Sequence, residues 1–184
     1  MSVVISRLQT KYVKEIAPRI MQELGIKNKM AVPRLKKIVL NIGLKPGLKD
    51  PKIIDVCEKT LLRISGQKPV KTLAKKSISN FKIRQGMVVG MMVTLRGARM
   101  YDFLDKYISL TLPRVRDFRG ISDKNIDVHG NLAVGMRDFL AFPEIRPEDS
   151  DVLHGLEVAI ATTAGDRKKG LALFRAIGFP FSEK

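Results

Sequence analysis

The sequence contains few of the residues from which catalytic and metal sites are built. Its 184 residues include one cysteine, two histidines and no tryptophan. A single cysteine excludes an intramolecular disulfide and is typical of proteins from a reducing cytoplasm. Neither His129 nor His154 has another histidine or a cysteine at the spacing of metal ligands, so we expect no metal and no cofactor. Cys57 falls on the apolar stripe of a predicted helix, where a small buried side chain is favoured over a nucleophile.

The sequence also lacks the motifs of nucleotide-binding enzymes and of membrane proteins. No Walker, Rossmann or nucleophile-elbow pattern occurs, and the glycine-rich turn at 43–47 is expected to be a connector. The acidic stretch 143–151 lacks the spacing of a calcium loop and is expected to be a surface loop. Lys11 and Lys14 interrupt any apolar run that could form a signal peptide. With no basic amphipathic helix, lipidation site or long apolar run, we expect a cytoplasmic protein that binds no membrane.

Acidic residues are missing from one long internal stretch. Residues 59–101 contain ten lysines and arginines and no aspartate or glutamate. Charges of one sign over this length cannot neutralise each other, and their natural partner is a polyanion. A solvated surface is the alternative, but such surfaces normally mix both signs of charge. A second, smaller basic patch lies at 114–121.

Charge is divided unevenly between the two parts of the chain. The total is +16, from 34 lysines and arginines against 18 aspartates and glutamates. Residues 1–101 carry 22 basic and 5 acidic side chains, a net +17, whereas residues 102–184 carry 12 and 13, a net −1. The length and the hydrophobic fraction of 45% suffice for one folded domain. We therefore expect a single domain at 1–184, in which 1–101 is the strongly basic, RNA-binding part.

Apolar periodicity predicts a mixture of helices and strands. The predicted helices are 3–24, 51–65, 98–112 and 166–177. The first should kink or split at Pro18, and the second should begin after an N-cap at Asp50. The predicted strands are 34–42, 70–73, 87–96 and 155–163, with a hairpin at 125–137. The elements do not follow a regular βαβ period. The expected class is therefore α+β, an antiparallel sheet with helices packed on one face and a projecting basic loop.

The outward face of the predicted sheet carries short polar side chains. Asn41 and Thr94 fall opposite the apolar residues of their strands, and Gln67 lies just before the second strand. Aromatic residues make up only 6% of the sequence, so a base-stacking sheet is not expected. Short donors and acceptors suit a folded RNA contacted through its 2′-hydroxyls and minor groove, with neighbouring lysines on the phosphates. Ordinary solvent exposure explains Asn41 and Thr94 equally well.

The basic loop, residues 74–86, is expected to project from the sheet. It is too long for a tight hairpin and rich in serine and asparagine. Its cations and polar residues are Lys75, Lys76, Ser77, Ser79, Asn80, Lys82, Arg84 and Gln85. Three apolar residues interrupt them, Ile78, Phe81 and Ile83, and we expect these to pack on each other or on Met87 and so hold the shape of the loop.

Eight short runs of residues, spread over essentially the whole chain, form a recognisable set when they are taken in order. In the first half they are Val32-Pro-Arg-Leu35, Ile38-Val-Leu-Asn-Ile-Gly43, Ser65-Gly-Gln-Lys-Pro69 and Lys75-Lys-Ser-Ile-Ser-Asn-Phe-Lys-Ile-Arg-Gln-Gly86. In the second half they are Val93-Thr-Leu-Arg-Gly97, Pro113-Arg-Val-Arg-Asp-Phe-Arg-Gly120, Phe142-Pro-Glu-Ile145 and Gly178-Phe-Pro-Phe181. Together they closely resemble the L-five family of bacterial large-subunit ribosomal proteins.

The resemblance implies a structural protein that binds 5S rRNA in the central protuberance of the large subunit. Its expected rRNA-binding residues are Lys37, Asn41, Gln67, Lys68, Thr94 and Arg96. Its basic loop is expected to reach the elbow of the peptidyl-site tRNA through Lys75, Lys76, Ser77, Ser79, Asn80, Lys82, Arg84 and Gln85. Residues 102–184 would face protein partners, including a small-subunit protein across an intersubunit bridge. The other implied partners are 23S rRNA and neighbouring large-subunit proteins of the central protuberance.

The sequence departs from that family at one hairpin. The family usually reads Phe-Asp-Gly-Arg-Gly-Asn-Tyr there, and this chain reads Ile126-Asp-Val-His-Gly-Asn-Leu132. The loss of two aromatics and an arginine removes support for a specific contact by this hairpin. The alternative to a structural rRNA-binding protein is an enzyme acting on RNA. That enzyme requires a buried carboxylate or histidine near the basic face, and residues 59–101 contain neither.

Overall fold

The structure, a computed structural model, describes residues 6–44, 51–137, 139–145 and 154–182. Within these residues the α-helices are α1 (Arg7–Lys11), α2 (Ala17–Leu24), α3 (Pro51–Ser65), α4 (Gly97–Lys106) and α5 (Arg167–Ile177). The strands are β1 (Leu35–Gly43), β2 (Val70–Leu73), β3 (Val88–Leu95), β4 (Leu132–Met136) and β5 (Leu156–Thr162). The predicted N-cap at Asp50 and most of the acidic stretch 143–151 lie outside the described residues.

The strands form one antiparallel sheet in the order β2-β3-β1-β5-β4. Strand β2 pairs with β3, with Val70 opposite Met92. Just before β1, the carbonyl of Arg34 accepts a hydrogen bond from the Thr163 N–H at 2.9 Å, and the Arg34 N–H donates to the Thr163 hydroxyl at 3.0 Å. This arrangement confirms the predicted α+β class with an antiparallel sheet.

Alternation along the strands separates buried from outward side chains. In β1, Ile38, Leu40 and Ile42 are fully buried. The same period holds in three other strands, whose buried residues are Met91, Val93 and Leu95 in β3, Leu132, Val134 and Met136 in β4, and Leu156, Val158 and Ile160 in β5. Burying one apolar side chain of this size stabilises a fold by about 1.5–3 kcal/mol, which fixes the register of each strand and the face that it turns outward.

The first predicted helix changes its hydrogen-bond pattern just before Pro18, where a kink or a split was expected. Between α1 and α2 the residues Tyr12–Ile16 form a π-helical turn, in which the Ala17 N–H donates to the Tyr12 carbonyl five residues back. Proline has no N–H and disrupts the regular ladder of a helix interior. The change of hydrogen-bond pattern leaves Pro18 in the first turn of α2, where a proline is tolerated.

The chain divides into two compact units. The first comprises Met1–Ile38, Leu95–Val134 and Ala159–Lys184, and the second comprises Val39–Thr94 and Gly135–Val158. In the first unit, the Tyr12 hydroxyl donates to the Pro33 carbonyl at 2.8 Å, and Phe174 meets Phe179 edge to face at 5.3 Å between ring centroids. These contacts fasten the N-terminal helical segment and the C-terminal end of the chain into the core of that unit.

Helix α3 supplies the second unit with a buried apolar stripe of Cys57, Leu61 and Ile64. Burial raises the pKa of the Cys57 thiol to about 11, because removal from water disfavours the thiolate. The thiolate is the nucleophilic form of cysteine, so this residue fills space in the core and is not an activated nucleophile.

The predicted hairpin at 125–137 is shorter than expected. Only β4 forms a strand there, and across the turn Leu132 meets Ile126 in a single bridge. The residues between are held by side chains, because Asp127 Oδ1 accepts from the Asn131 N–H at 2.8 Å while its Oδ2 accepts from Asn131 Nδ2 at 2.8 Å. Gly130 completes this turn at φ +80°, and a Cβ there would lie 2.6 Å from the Asp166 carbonyl oxygen.

Candidate nucleic-acid interface

Asn41 and Thr94 share the outward face of two neighbouring strands in the second unit. Asn41 alternates with the buried residues of β1, and Thr94 alternates with those of β3. Both residues are half-buried. The structure therefore brings together two of the three short polar residues that were predicted for this face.

Gly90 lies on the outward side of β3, close to both neighbouring strands. A Cβ at this position would lie 2.8 Å from the Ile42 carbonyl oxygen and 2.9 Å from Thr72 Oγ1. Backbone and hydroxyl oxygens at that distance leave no space for a side chain. Glycine therefore allows β3 to approach β1 and β2 closely at this position.

Gln67 and Lys68 lie in the turn that precedes β2. The Ser65 hydroxyl holds this turn, since its oxygen accepts from the Gln67 N–H at 3.1 Å and its O–H lies 3.0 Å from the Gln67 carbonyl. Because Val70 pairs with Met92 in an antiparallel ladder, the turn lies toward the end of β3 that carries Thr94. Gln67 is half-buried, whereas the Lys68 side chain is 83% exposed.

Lys37 and Arg96 belong to the first unit and lie near the ends of their strands. Lys37 is near the start of β1, and Arg96 directly follows β3. The two strands are antiparallel neighbours, so the start of one and the end of the other are at the same end of the sheet. Lys37 is half-buried and Arg96 is exposed. The structure thus places two predicted cations together there.

Two acidic residues accompany the predicted cations and polar groups. Glu58 on α3 accepts from Lys71 at 3.2 Å and lies 4.0 Å from Lys68. Glu157 on β5 accepts a hydrogen bond from Asn41 Nδ2 at 3.3 Å. The outward position of Glu157 follows from the alternation of β5, but its contact with Asn41 requires the strand order, because the two residues are 116 positions apart.

The basic loop is a hydrogen-bonded finger. At its base the Ala74 N–H donates to the Met87 carbonyl at 2.8 Å, and nearer the tip Ile78 and Ile83 exchange two backbone hydrogen bonds. The Ser77 hydroxyl accepts from the Gln85 N–H at 2.9 Å. The predicted tRNA-binding residues are all exposed on this finger, namely Lys75, Lys76, Ser77, Ser79, Asn80, Lys82, Arg84 and Gln85. Its own backbone holds the shape of the finger.

The apolar residues of the finger pack less than expected. Ile78 and Ile83 face each other through a backbone bridge, but Ile78 is 45% exposed and Phe81 is 57% exposed. Met87, on which these residues were expected to pack, is also exposed, and its sulfur accepts from the Arg84 N–H at 3.1 Å. The hydrogen bonds of the main chain, and not an apolar cluster, therefore order this loop.

The described residues contain no group of three or more histidine, cysteine, aspartate or glutamate side chains that could hold a metal ion. His154 stacks on Phe139 with 4.0 Å between ring centroids, and burial lowers its pKa. This stacking favours the neutral imidazole in an apolar setting. Glu157, the acid in contact with Asn41, is exposed, so it is not the buried carboxylate that the enzyme alternative predicted near the basic face.

The chain is similar to known proteins over almost its whole length. The family model for ribosomal protein L5 matches residues 28–84, and a second model, for the C-terminus of the same ribosomal family, matches residues 88–181. The relatives include three bacterial proteins named large ribosomal subunit protein uL5. The protein of Herpetosiphon aurantiacus is 49% identical over 97% of this chain and 100% of its own length. Those of a Roseiflexus species and Acidobacterium capsulatum are 50% and 51% identical, over 97% of this chain and 99% and 98% of theirs.

The chain belongs to the ribosomal protein L5 family. The resemblance stated from the sequence runs is therefore confirmed. L5 family proteins are structural proteins of the ribosome and not enzymes, which decides against an enzyme acting on RNA. The relatives are bacterial, and a bacterial ribosomal protein works in the cytoplasm, as predicted. Across the described parts of the chain, no helix has the length and apolar character needed to cross a membrane.

Proposed function

We propose that this L5 family chain binds 5S rRNA through the outward face of its sheet. The family makes the chain a structural constituent of the large ribosomal subunit. The residues that we assign to rRNA binding are Lys37, Asn41, Gln67, Lys68, Thr94 and Arg96. The observation that carries this assignment is that Asn41 of β1 and Thr94 of β3 share the outward face of two neighbouring strands.

The chemistry of this face fits a folded RNA. An amide and a hydroxyl side chain can each exchange hydrogen bonds with 2′-hydroxyls and base edges in the wide minor groove of an RNA helix. Aromatic rings for base stacking are absent from the described residues of β1 and β3. Lys37, Lys68 and Arg96 would then neutralise phosphates, which sets affinity, while the short polar groups set specificity.

We assign a second polyanion, the peptidyl-site tRNA, to the basic loop. The finger carries four exposed cations, Lys75, Lys76, Lys82 and Arg84. Backbone hydrogen bonds within the finger hold its shape and so keep these charges exposed. A finger of this kind suits a partner that arrives and leaves during translation.

The remaining partners are assigned to other surfaces of the same domain, residues 1–184. Arg114, Arg116 and Arg119 are exposed in the second basic patch and suit a contact with 23S rRNA. Residues 102–184 have a net charge of −1, which suits protein partners better than RNA. These partners would be neighbouring proteins of the central protuberance and a small-subunit protein across an intersubunit bridge.

Chemical footprinting of 5S rRNA with the intact chain tests the main assignment. We expect a compact set of protected nucleotides in one folded region, with 2′-hydroxyls among the protected groups, and we expect the RNA to be recovered unaltered. The Asn41→Ala variant should lose part of this protection at the same nucleotides. Protection spread evenly along the RNA would contradict the proposal, since it is the signature of electrostatic binding alone.

A further inference from the structure

Glu157 is an acidic residue on the outward face that also carries Asn41 and Thr94. It is exposed in β5, in the middle of the pattern that buries Leu156 and Val158. Strand β5 is the neighbour of β1, and Glu157 Oε2 accepts a hydrogen bond from Asn41 Nδ2 at 3.3 Å. A carboxylate repels phosphates and so weakens nonspecific binding to RNA. Its presence beside Asn41 therefore needs a reason other than affinity.

The hydrogen bond fixes which way the Asn41 amide points. An asparagine amide has a donor end and an acceptor end of nearly equal size, and a free amide can turn either end to its partner. A carboxylate accepts hydrogen bonds and does not donate them, so only the NH₂ end can face Glu157. The carbonyl oxygen of Asn41 is then left to accept from a donor outside the protein.

We propose that Glu157 is a positioning residue that sets the specificity of the rRNA-binding face through Asn41. This proposal rests on the proposed function of that face. By holding the amide, Glu157 selects an RNA that offers a donor to the Asn41 oxygen, such as a 2′-hydroxyl or a base amino group. By its charge, it excludes a phosphate from the same place. RNA-binding specificity arises from such contacts, whereas the cations act on every sequence alike.

The Glu157→Gln variant separates this role from simple charge repulsion, because the two predict opposite signs. The substitution keeps the size of the side chain, removes one negative charge, and lets the Asn41 amide turn freely. If Glu157 only repelled RNA, its loss would strengthen binding to 5S rRNA and to an unrelated structured RNA of equal length alike. If it positions Asn41, binding to 5S rRNA weakens while binding to the unrelated RNA does not.

The measured quantity is the ratio of the two affinities for the intact chain. We expect Glu157→Gln to lower this ratio by about threefold to tenfold, which is the usual worth of one hydrogen bond. A smaller fall, or a rise, overturns the proposal. Glu23→Gln makes the same chemical change at an exposed position on α2, outside the second unit that holds Asn41 and Glu157, and should leave the ratio at the wild-type value.

A second variant tests whether Glu157 acts through Asn41. In an Asn41→Ala background the amide is gone, so Glu157→Gln should lower the ratio no further. The same loss in both backgrounds overturns the positioning role. If the wild-type chain binds 5S rRNA no more tightly than the unrelated RNA, the proposed function itself fails. If the wild type discriminates and Glu157→Gln still discriminates as well, this inference alone fails.

Discussion

Single polar side chains on the outward face are proposed to determine the specificity for 5S rRNA. Asn41→Ala, Gln67→Ala and Thr94→Ala should each weaken 5S rRNA binding by about 1–3 kcal/mol, the cost of a hydrogen bond lost in a buried interface. The three side chains are only half-buried, so their truncation leaves no internal cavity. Affinity for 5S rRNA and the melting temperature of each variant are the measurements.

The control for these variants is Gln22→Ala, a truncation of the same kind on the exposed surface of α2. It should change neither RNA affinity nor melting temperature. If the three face variants bound 5S rRNA as tightly as the wild type and instead melted at a lower temperature, Asn41, Gln67 and Thr94 would be parts of the scaffold.

At the residue scale, sequence reasoning identifies faces but not neighbours across strands. The alternation of β1 and β5 places Asn41 and Glu157 outward, and the structure agrees. Their hydrogen bond is a consequence of the order β1-β5 in the sheet, which no local pattern contains. The ion pair of Lys71 with Glu58 could not be predicted for the same reason, because it joins strand β2 to helix α3.

At the scale of elements, the basic loop should be separable from the 5S rRNA site. Replacing Lys75, Lys76, Lys82 and Arg84 together by glutamine removes four charges and leaves the hydrogen-bonded main chain of the finger intact. We expect the variant to keep its 5S rRNA affinity within tenfold, about 1.4 kcal/mol. Ribosomes assembled with it should hold peptidyl-site tRNA less firmly, as measured by tRNA dissociation.

The matched control removes four exposed cations from the N-terminal helical segment and the turn after it, with glutamine in place of Lys11, Lys14, Arg19 and Lys27. It has the same change in net charge, and its ribosomes should retain tRNA normally. A loss of 5S rRNA affinity of more than tenfold in the loop variant, but not in the control, would place the finger inside the primary rRNA site.

Elements with a strong apolar period were predicted from the sequence, and elements held by polar side chains were not. The predicted strands at 34–42 and 155–163 agree with β1 and β5 to within a residue, because burial of alternate side chains determines their register. The hairpin at 125–137 was predicted too long. Asp127 and Asn131 form side-chain hydrogen bonds in place of a longer strand ladder. The spacing of apolar residues does not show when polar side chains will compete with backbone pairing in this way.

On the scale of the whole molecule, the distribution of charge matters more than its sum. The net charge of +17 lies in residues 1–101, and residues 102–184 are close to neutral. A protein whose cations are concentrated in this way attracts a polyanion to one part of its surface and leaves the rest for other partners. The assignment of residues 1–101 to RNA and of residues 102–184 to protein partners stays a prediction.

The most direct measurement of the central claim is the affinity of the intact chain for 5S rRNA across a series of salt concentrations. Neutralising about five phosphates predicts a slope of log affinity against log salt of roughly −3.5 to −4.5. The contacts of Asn41, Gln67 and Thr94 predict that binding to 5S rRNA stays tighter than binding to an unrelated RNA at every salt concentration. A slope near zero, or equal affinity for both RNAs throughout, would contradict the account.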